Sequence, residues 1–179
     1  MNQEIGWYAI RVTYCREMKL KSYLDTLNIN NFIPMQYKEV LTEGKRTKKL
    51  LPAVHNLIFI QSSRSTLEEV RNRVKRSTPI NFLYNKATKM PIVIPEQEML
   101  HFIAISGTHD EQLIYLSEIK TTLKQGERVR VTAGVFAGVE GRVVRIKNDR
   151  RVLVAIEGVI AVVTSYINPL LLEKINPQT

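Results

Sequence analysis

The sequence predicts an α+β protein in two parts, a mixed α/β sandwich followed by a small all-β barrel. Two observations carry this. Up to about residue 106, segments with an apolar period of two alternate with segments of helical period. After about residue 122 only short runs of period two remain, divided by Gly, Asn and Asp.

Trp7-Tyr8-Ala9-Ile10-Arg11-Val12 is rich in aromatic and β-branched residues and reads as a strand. From about Cys15 to Leu27, apolar Leu20, Tyr23, Leu24 and Leu27 recur at i, i+3, i+4 and i+7, which makes a helix. Asn28 to Asn31 stops it. A long strand is expected from Phe32 to Leu41, then an exposed basic hairpin tip over residues 42–49. Val54 to Ile60 returns as a buried strand. Ser65-Thr66-Leu67-Glu68 has capping-box spacing and opens a helix with Leu67, Val70 and Val74 inward. Pro79 follows that helix, and Ile80 to Tyr84 forms a further strand. The order strand, helix, two strands, helix, strand is that of a split βαβ, ferredoxin-like sandwich. Pro95 then suits the first turn of a helix whose apolar side is Met99, Phe102 and Ile103.

The organisation expected is therefore 1–106 as the sandwich, 107–122 as a linker and 123–179 as the barrel. Strands are expected at Val129–Val131, Val143–Ile146, Val152–Ile156 and Ile160–Val163. Their β-branched content predicts a stable β form for the barrel.

Composition limits function. The chain carries 26 Lys+Arg against 17 Asp+Glu, a net +9. Residues 1–122 hold 17 basic and 12 acidic groups, and 123–179 hold nine and five, so both parts are basic. A positive field speeds encounters with polyanions and gains from counterion release. A lone cysteine, Cys15, excludes an internal disulfide and a Cys-cluster zinc site. His55, His101 and His109 lack metal-ligand spacing, and no phosphate-cradling glycine loop or nucleophile–base pattern is present. No catalytic residue, metal or cofactor is expected. With no apolar run near the ~20 residues of a membrane helix and no leader-like N-terminus, the expected place is the cytoplasm, as a monomer.

Arg128 to Val143 contains strand, turn, Gly134, Phe136, Gly138, Gly141 and second strand. This stretch resembles a KOW motif, an SH3-like barrel opening in which glycines supply tight corners. A ferredoxin-like part beginning Trp7-Tyr8 followed by a KOW barrel resembles the NusG family of transcription elongation and antitermination factors. Among its branches, the chain looks like the specialised UpxY/RfaH type. Two departures are visible. Pro52-Ala53-Val54 stands where the family has a Pro-Gly-Tyr-like turn, and Glu157 stands where the general factor carries a ribosome-contacting phenylalanine.

The resemblance implies a factor that docks on the β′ clamp helices of RNA polymerase and suppresses pausing or termination, on specific long operons. It implies docking residues Trp7, Tyr8, Leu57, Phe59, Phe82 and Tyr84. Nearby DNA or nascent RNA would meet Arg11, Arg16, Lys19, Lys45, Arg46, Lys48, Lys49, Arg71, Arg73 and Arg76. The ribosome or another factor is a further partner open to the barrel. The competing expectation is a ribosome-associated, RNA-binding KOW protein.

Overall fold

The computed structural model describes residues 4–42, 44–117 and 126–176. In chain order the first elements are β1 (Gly6–Val12), α1 (Glu17–Thr26), β2 (Asn31–Phe32), β3 (Met35–Thr42) and β4 (Lys45–Pro52). Then come β5 (Leu57–Ser62), α2 (Arg64–Val74), β6 (Ile80–Phe82), β7 (Val93–Ile94) and α3 (Glu96–Ser106). The remaining strands are β8 (Ile114–Leu116), β9 (Arg128–Val131), β10 (Glu140–Ile146), β11 (Asp149–Ile156), β12 (Ile160–Val163) and β13 (Leu172–Lys174). The chain packs as two units, Met1–Pro34 with Val54–Met99, and Met35–Ala53 with Leu100–Thr179.

In the first unit the sheet order is β2-β5-β1-β6, all antiparallel, with β7 also pairing β1. That order is the ferredoxin-like one. β1 and β5 are central, and their side chains are buried on both faces, with Ile10, Ile58, Phe59 and Ile60 wholly inaccessible. Each such side chain contributes about 1.5–3 kcal/mol of transfer free energy. Leu20 and Leu24 of α1 and Leu67, Val70 and Val74 of α2 complete the core. Tyr23 and Leu27 of the expected helical stripe stay partly exposed. α1 ends on left-handed Asn28 (φ 54°), and the Ile29 N–H returns to the Leu24 carbonyl.

Four local expectations need correction. The strand foreseen from Phe32 to Leu41 is two strands, because Pro34 has no N–H to give a ladder. β2 stays in the main sheet, while β3 leaves it to pair β4 alone. The basic tip is shorter than foreseen: Thr42 pairs Lys45, Gly44 supplies φ +75°, and the four cations lie along β4. The α2 cap is Ser63, whose Oγ accepts the Thr66 N–H at 3.2 Å, two residues before the foreseen serine. β6 stops at Phe82; Tyr84 only bridges to Pro91.

In the second unit β3 and β4 form a two-stranded ribbon, and the sheet order is β13-β9-β10-β11-β12-β8. The four foreseen barrel strands are present, in β form. Val129, Val131, Val152, Val154, Val162 and Phe136 are buried. Val144, Leu153, Ala161 and Val163 form a cluster with Ile114 and Leu116 against it. Part of the segment foreseen as a linker is thus strand, since β8 pairs β12; residues 118–122 lie outside the described residues. Gly138 needs its freedom for φ +84°, whereas a Cβ on Gly141 would meet the Leu153 carbonyl oxygen at 2.5 Å.

Candidate functional site

The foreseen docking residues divide by burial. Trp7, Tyr8, Leu57, Phe59 and Phe82 all lie in the core of the first unit, and Tyr84, 48% exposed, reaches the surface. Alternation along β1 sends Trp7 and Tyr8 to opposite faces, and both faces are covered. Edge-to-face contacts link Tyr8 to Phe82 at 5.8 Å and Phe82 to Tyr84 at 6.5 Å, so a chain of rings runs from core to surface. Around its outer end, Met90 and Val93 are exposed, Val93 being the partner of Tyr8 across β7. Sequence reading missed these two because Met90 lies in a turn and β7 has only two residues.

The foreseen cations of the first unit draw together. Thr13 N–H and Thr13 Oγ1 both donate to the Pro79 carbonyl, and the Arg16 guanidinium donates to the Ser77 carbonyl. The β1–α1 turn and the α2–β6 turn are thereby tied. Arg16 and Lys19 on one side and Arg73 and Arg76 on the other are exposed, and Arg71 lies 3.4 Å from Glu68. Arg11 is exposed near the end of β1. Sequence spacing shows two basic clusters; only the fold shows that they adjoin.

Tyr14 sits in this turn and is 78% exposed, with the Arg16 guanidinium 5.4 Å from its ring centre. Tyr14 (φ 59°) and Cys15 (φ 50°) are both left-handed, at a strain on the order of 1–3 kcal/mol each. The Cys15 N–H is held by Asn56 Oδ1 at 2.8 Å, and Asn56 is itself left-handed at φ 63°. Below the turn the Glu17 carboxylate is buried, 3.7 Å from His55 Nδ1. Tyr14 escaped the sequence reading because it belongs to no periodic run.

On the ribbon of the second unit, register sorts the cations into two faces. Arg46 and Lys48 share theirs with Tyr37, Glu39 and Leu50; Arg46 lies 3.8 Å from Glu39 and Lys48 2.7 Å from Glu111. Hydrogen bonding to Glu111 first, and its charge second, hold the Lys48 ammonium above its ordinary pKa. Lys45 and Lys49 share the other face with Lys38, whose ammonium donates to the Pro52 and Ala53 carbonyls. No carboxylate pairs with Lys45 or Lys49 among the described residues.

Also in the second unit, Glu140 accepts Arg130 Nε and Nη2 at 3.0 and 2.6 Å. Burial lowers the pKa of His101 below 6.5; Glu140 opposes the shift, and Arg130 and Arg128 add to it. Among the described residues no three His, Cys, Asp or Glu side chains converge as a metal site, and no helix is long and apolar enough to cross a membrane.

The profile of the family described as "Transcription termination factor nusG" matches residues 6–103. The "Transcription termination/antitermination protein NusG" of Thermus thermophilus is 28% identical over 173 residues, covering 86% of this chain and 91% of that protein. A solved structure described as "Domain interaction in Thermotoga maritima NusG" aligns over 97% of this chain and 98% of its own, with 17% identity and a TM-score of 0.48. More than half of the chain lies inside the family profile, so the chain belongs to the NusG family of transcription termination/antitermination factors.

Proposed function

We propose that the chain is a transcription elongation and antitermination factor that binds RNA polymerase through its first unit and touches an exposed DNA single strand beside it. The observation that carries this reading is the exposed Tyr14 ring beside Arg16, whose bond to the Ser77 carbonyl joins the turn that carries it to the one that follows exposed Arg73 and Arg76. Cations hold phosphates and an exposed ring stacks an unpaired base, the two contacts by which single strands are bound. The non-template strand of a transcription bubble is such a ligand.

The polymerase contact is the apolar edge of Tyr84, Met90 and Val93, backed by Tyr8 and Phe82. An exposed apolar patch of this kind is a docking surface, and the clamp helices of the β′ subunit are its partner. Trp7, Leu57 and Phe59 support that edge from within. Lys45 and Lys49 meet upstream DNA. No chemistry is needed; the factor biases polymerase toward one conformation by binding it more tightly.

The test is co-purification with core RNA polymerase together with read-through of a terminator on a defined template. Wild-type protein is expected to co-purify and to raise read-through. The Tyr84→Ser, Val93→Ser double variant is expected to lose both, and full retention of both would contradict the docking assignment.

A further inference from the structure

Arg46 and Lys48 share one face of the β3–β4 ribbon, and each meets a carboxylate, but the two carboxylates differ in origin. Glu39, 3.8 Å from Arg46, belongs to the ribbon itself. Glu111, whose Oε1 accepts Lys48 Nζ at 2.7 Å, comes from 63 positions along the chain. It arrives on residues 109–116, a stretch whose regular structure is the three-residue β8.

That stretch is fastened at both sides. Toward the ribbon, Gln36 Nε2 donates to the Asp110, Glu111 and Leu113 carbonyls at 3.0, 3.2 and 3.0 Å. The His109 ring stands edge-to-face with Tyr37 at 6.4 Å, and Tyr37 lies on the Lys48 face. Toward the barrel, Arg151 Nη1 donates to the Gln112 carbonyl at 3.1 Å, and half-buried Ile114–Leu116 pair with Val163–Ala161 of β12. The ion pair at its centre joins side chains that are each about half exposed. A pair so placed contributes little to stability. What it does change is the charge that the ribbon presents: it occupies the Lys48 ammonium with an oxyanion, which is also what a phosphate supplies.

We propose, on the reading that the ribbon meets upstream DNA, that Glu111 holds the place of a DNA phosphate on Lys48, so that duplex DNA and the seated segment 109–116 compete for this face of the ribbon. Incoming phosphates take the Lys48 ammonium and repel Glu111 and the neighbouring Asp110; the seated segment keeps Lys48 from the duplex. The coupling is reciprocal, since the factor that seating takes from DNA affinity is the factor that DNA takes from seating. Lys45 and Lys49, on the opposite face, have no such carboxylate among the described residues and meet DNA in either state.

The test is binding of the purified full-length chain to a fluorescein-labelled DNA duplex over a salt series, without polymerase. Glu111→Gln is expected to bind several-fold more tightly, with its log K against log[salt] slope steeper by about 0.9, the value of one gained phosphate contact. Adding Lys48→Ser is expected to cancel that gain, which a general loss of negative charge would not allow. On the wild-type fold, hydrogen exchange at the Ile114–Leu116 amides is expected to quicken when duplex saturates the protein. Affinity and slope unchanged in Glu111→Gln, a gain that survives Lys48→Ser, or β8 protection untouched by duplex would each overturn the competition. The Lys45→Ser, Lys49→Ser double variant separates the two readings. Full affinity in that variant would sink the ribbon's contact with DNA and the competition with it; lost affinity there beside an unchanged Glu111→Gln would sink the competition alone.

Discussion

Tyr14 and Cys15 are held in the left-handed region by a short chain of contacts, Cys15 N–H to Asn56 and Thr13 to Pro79. Strain of this kind persists where surrounding structure imposes it, and it clusters at binding sites. Tyr14→Gly removes the strain and the ring together. Its thermal midpoint is expected to rise, while affinity for single-stranded DNA falls by about 1–3 kcal/mol, the worth of one stacked base. In the core, Phe59→Ala is expected to cost about 3–5 kcal/mol in chemical denaturation, because Phe59 is wholly buried. The position of Phe59 in an apolar run was legible in the sequence as core or contact; burial on both faces of β5 decides for core. His101 gives a pH signature. Its folded pKa lies below the ordinary 6.5, so the unfolded chain binds the proton more readily. Its share of stability is present above about pH 6.5 and is lost as pH falls through the lowered value, and thermal melts of His101→Gln are expected to show a weaker acid dependence.

Elements were legible where one local signal ruled and illegible where tertiary context chose between two. Capping-box spacing in the sequence points to Ser65 with Glu68, whereas Ser63, with no Glu or Gln three residues on, is the cap whose Oγ accepts the Thr66 N–H. The end of β5 at Ser62 decides for Ser63. Ser63→Ala is therefore expected to cost about 0.5–2 kcal/mol and Ser65→Ala less. Pro34 was in plain view, yet the alternation beyond it hid the change of partner from β5 to β4. The ribbon shows the same limit: four cations over five positions read as one basic tip, whereas pairing with β3 splits them by face. Of the four, Lys45 and Lys49 are left without a carboxylate among the described residues. Binding of duplex DNA is accordingly expected to lose about 1.8 in salt slope in the Lys45→Ser, Lys49→Ser double variant, and less in Arg46→Ser, Lys48→Ser.

At the scale of the molecule, the sandwich and the barrel were legible because apolar periodicity changes from mixed to strictly two along the chain. The KOW-like turn was legible because φ above +80° at Gly134 and Gly138 leaves glycine as the residue that fits without strain. What the sequence hid is long-range: Arg16 meets Ser77 across 61 positions, and β8 joins β12 from within an expected linker. Those contacts turn scattered charges into surfaces. The account therefore stands on the joined surface around Tyr14 lying against the exposed strand of a transcription bubble. The most direct measurement places a photo-crosslinking side chain at position 14 and irradiates the protein bound to a halted elongation complex with each nucleic-acid strand labelled. Crosslinking to the non-template DNA strand is the predicted result. Protein retained on polymerase but crosslinked to neither DNA strand would contradict it.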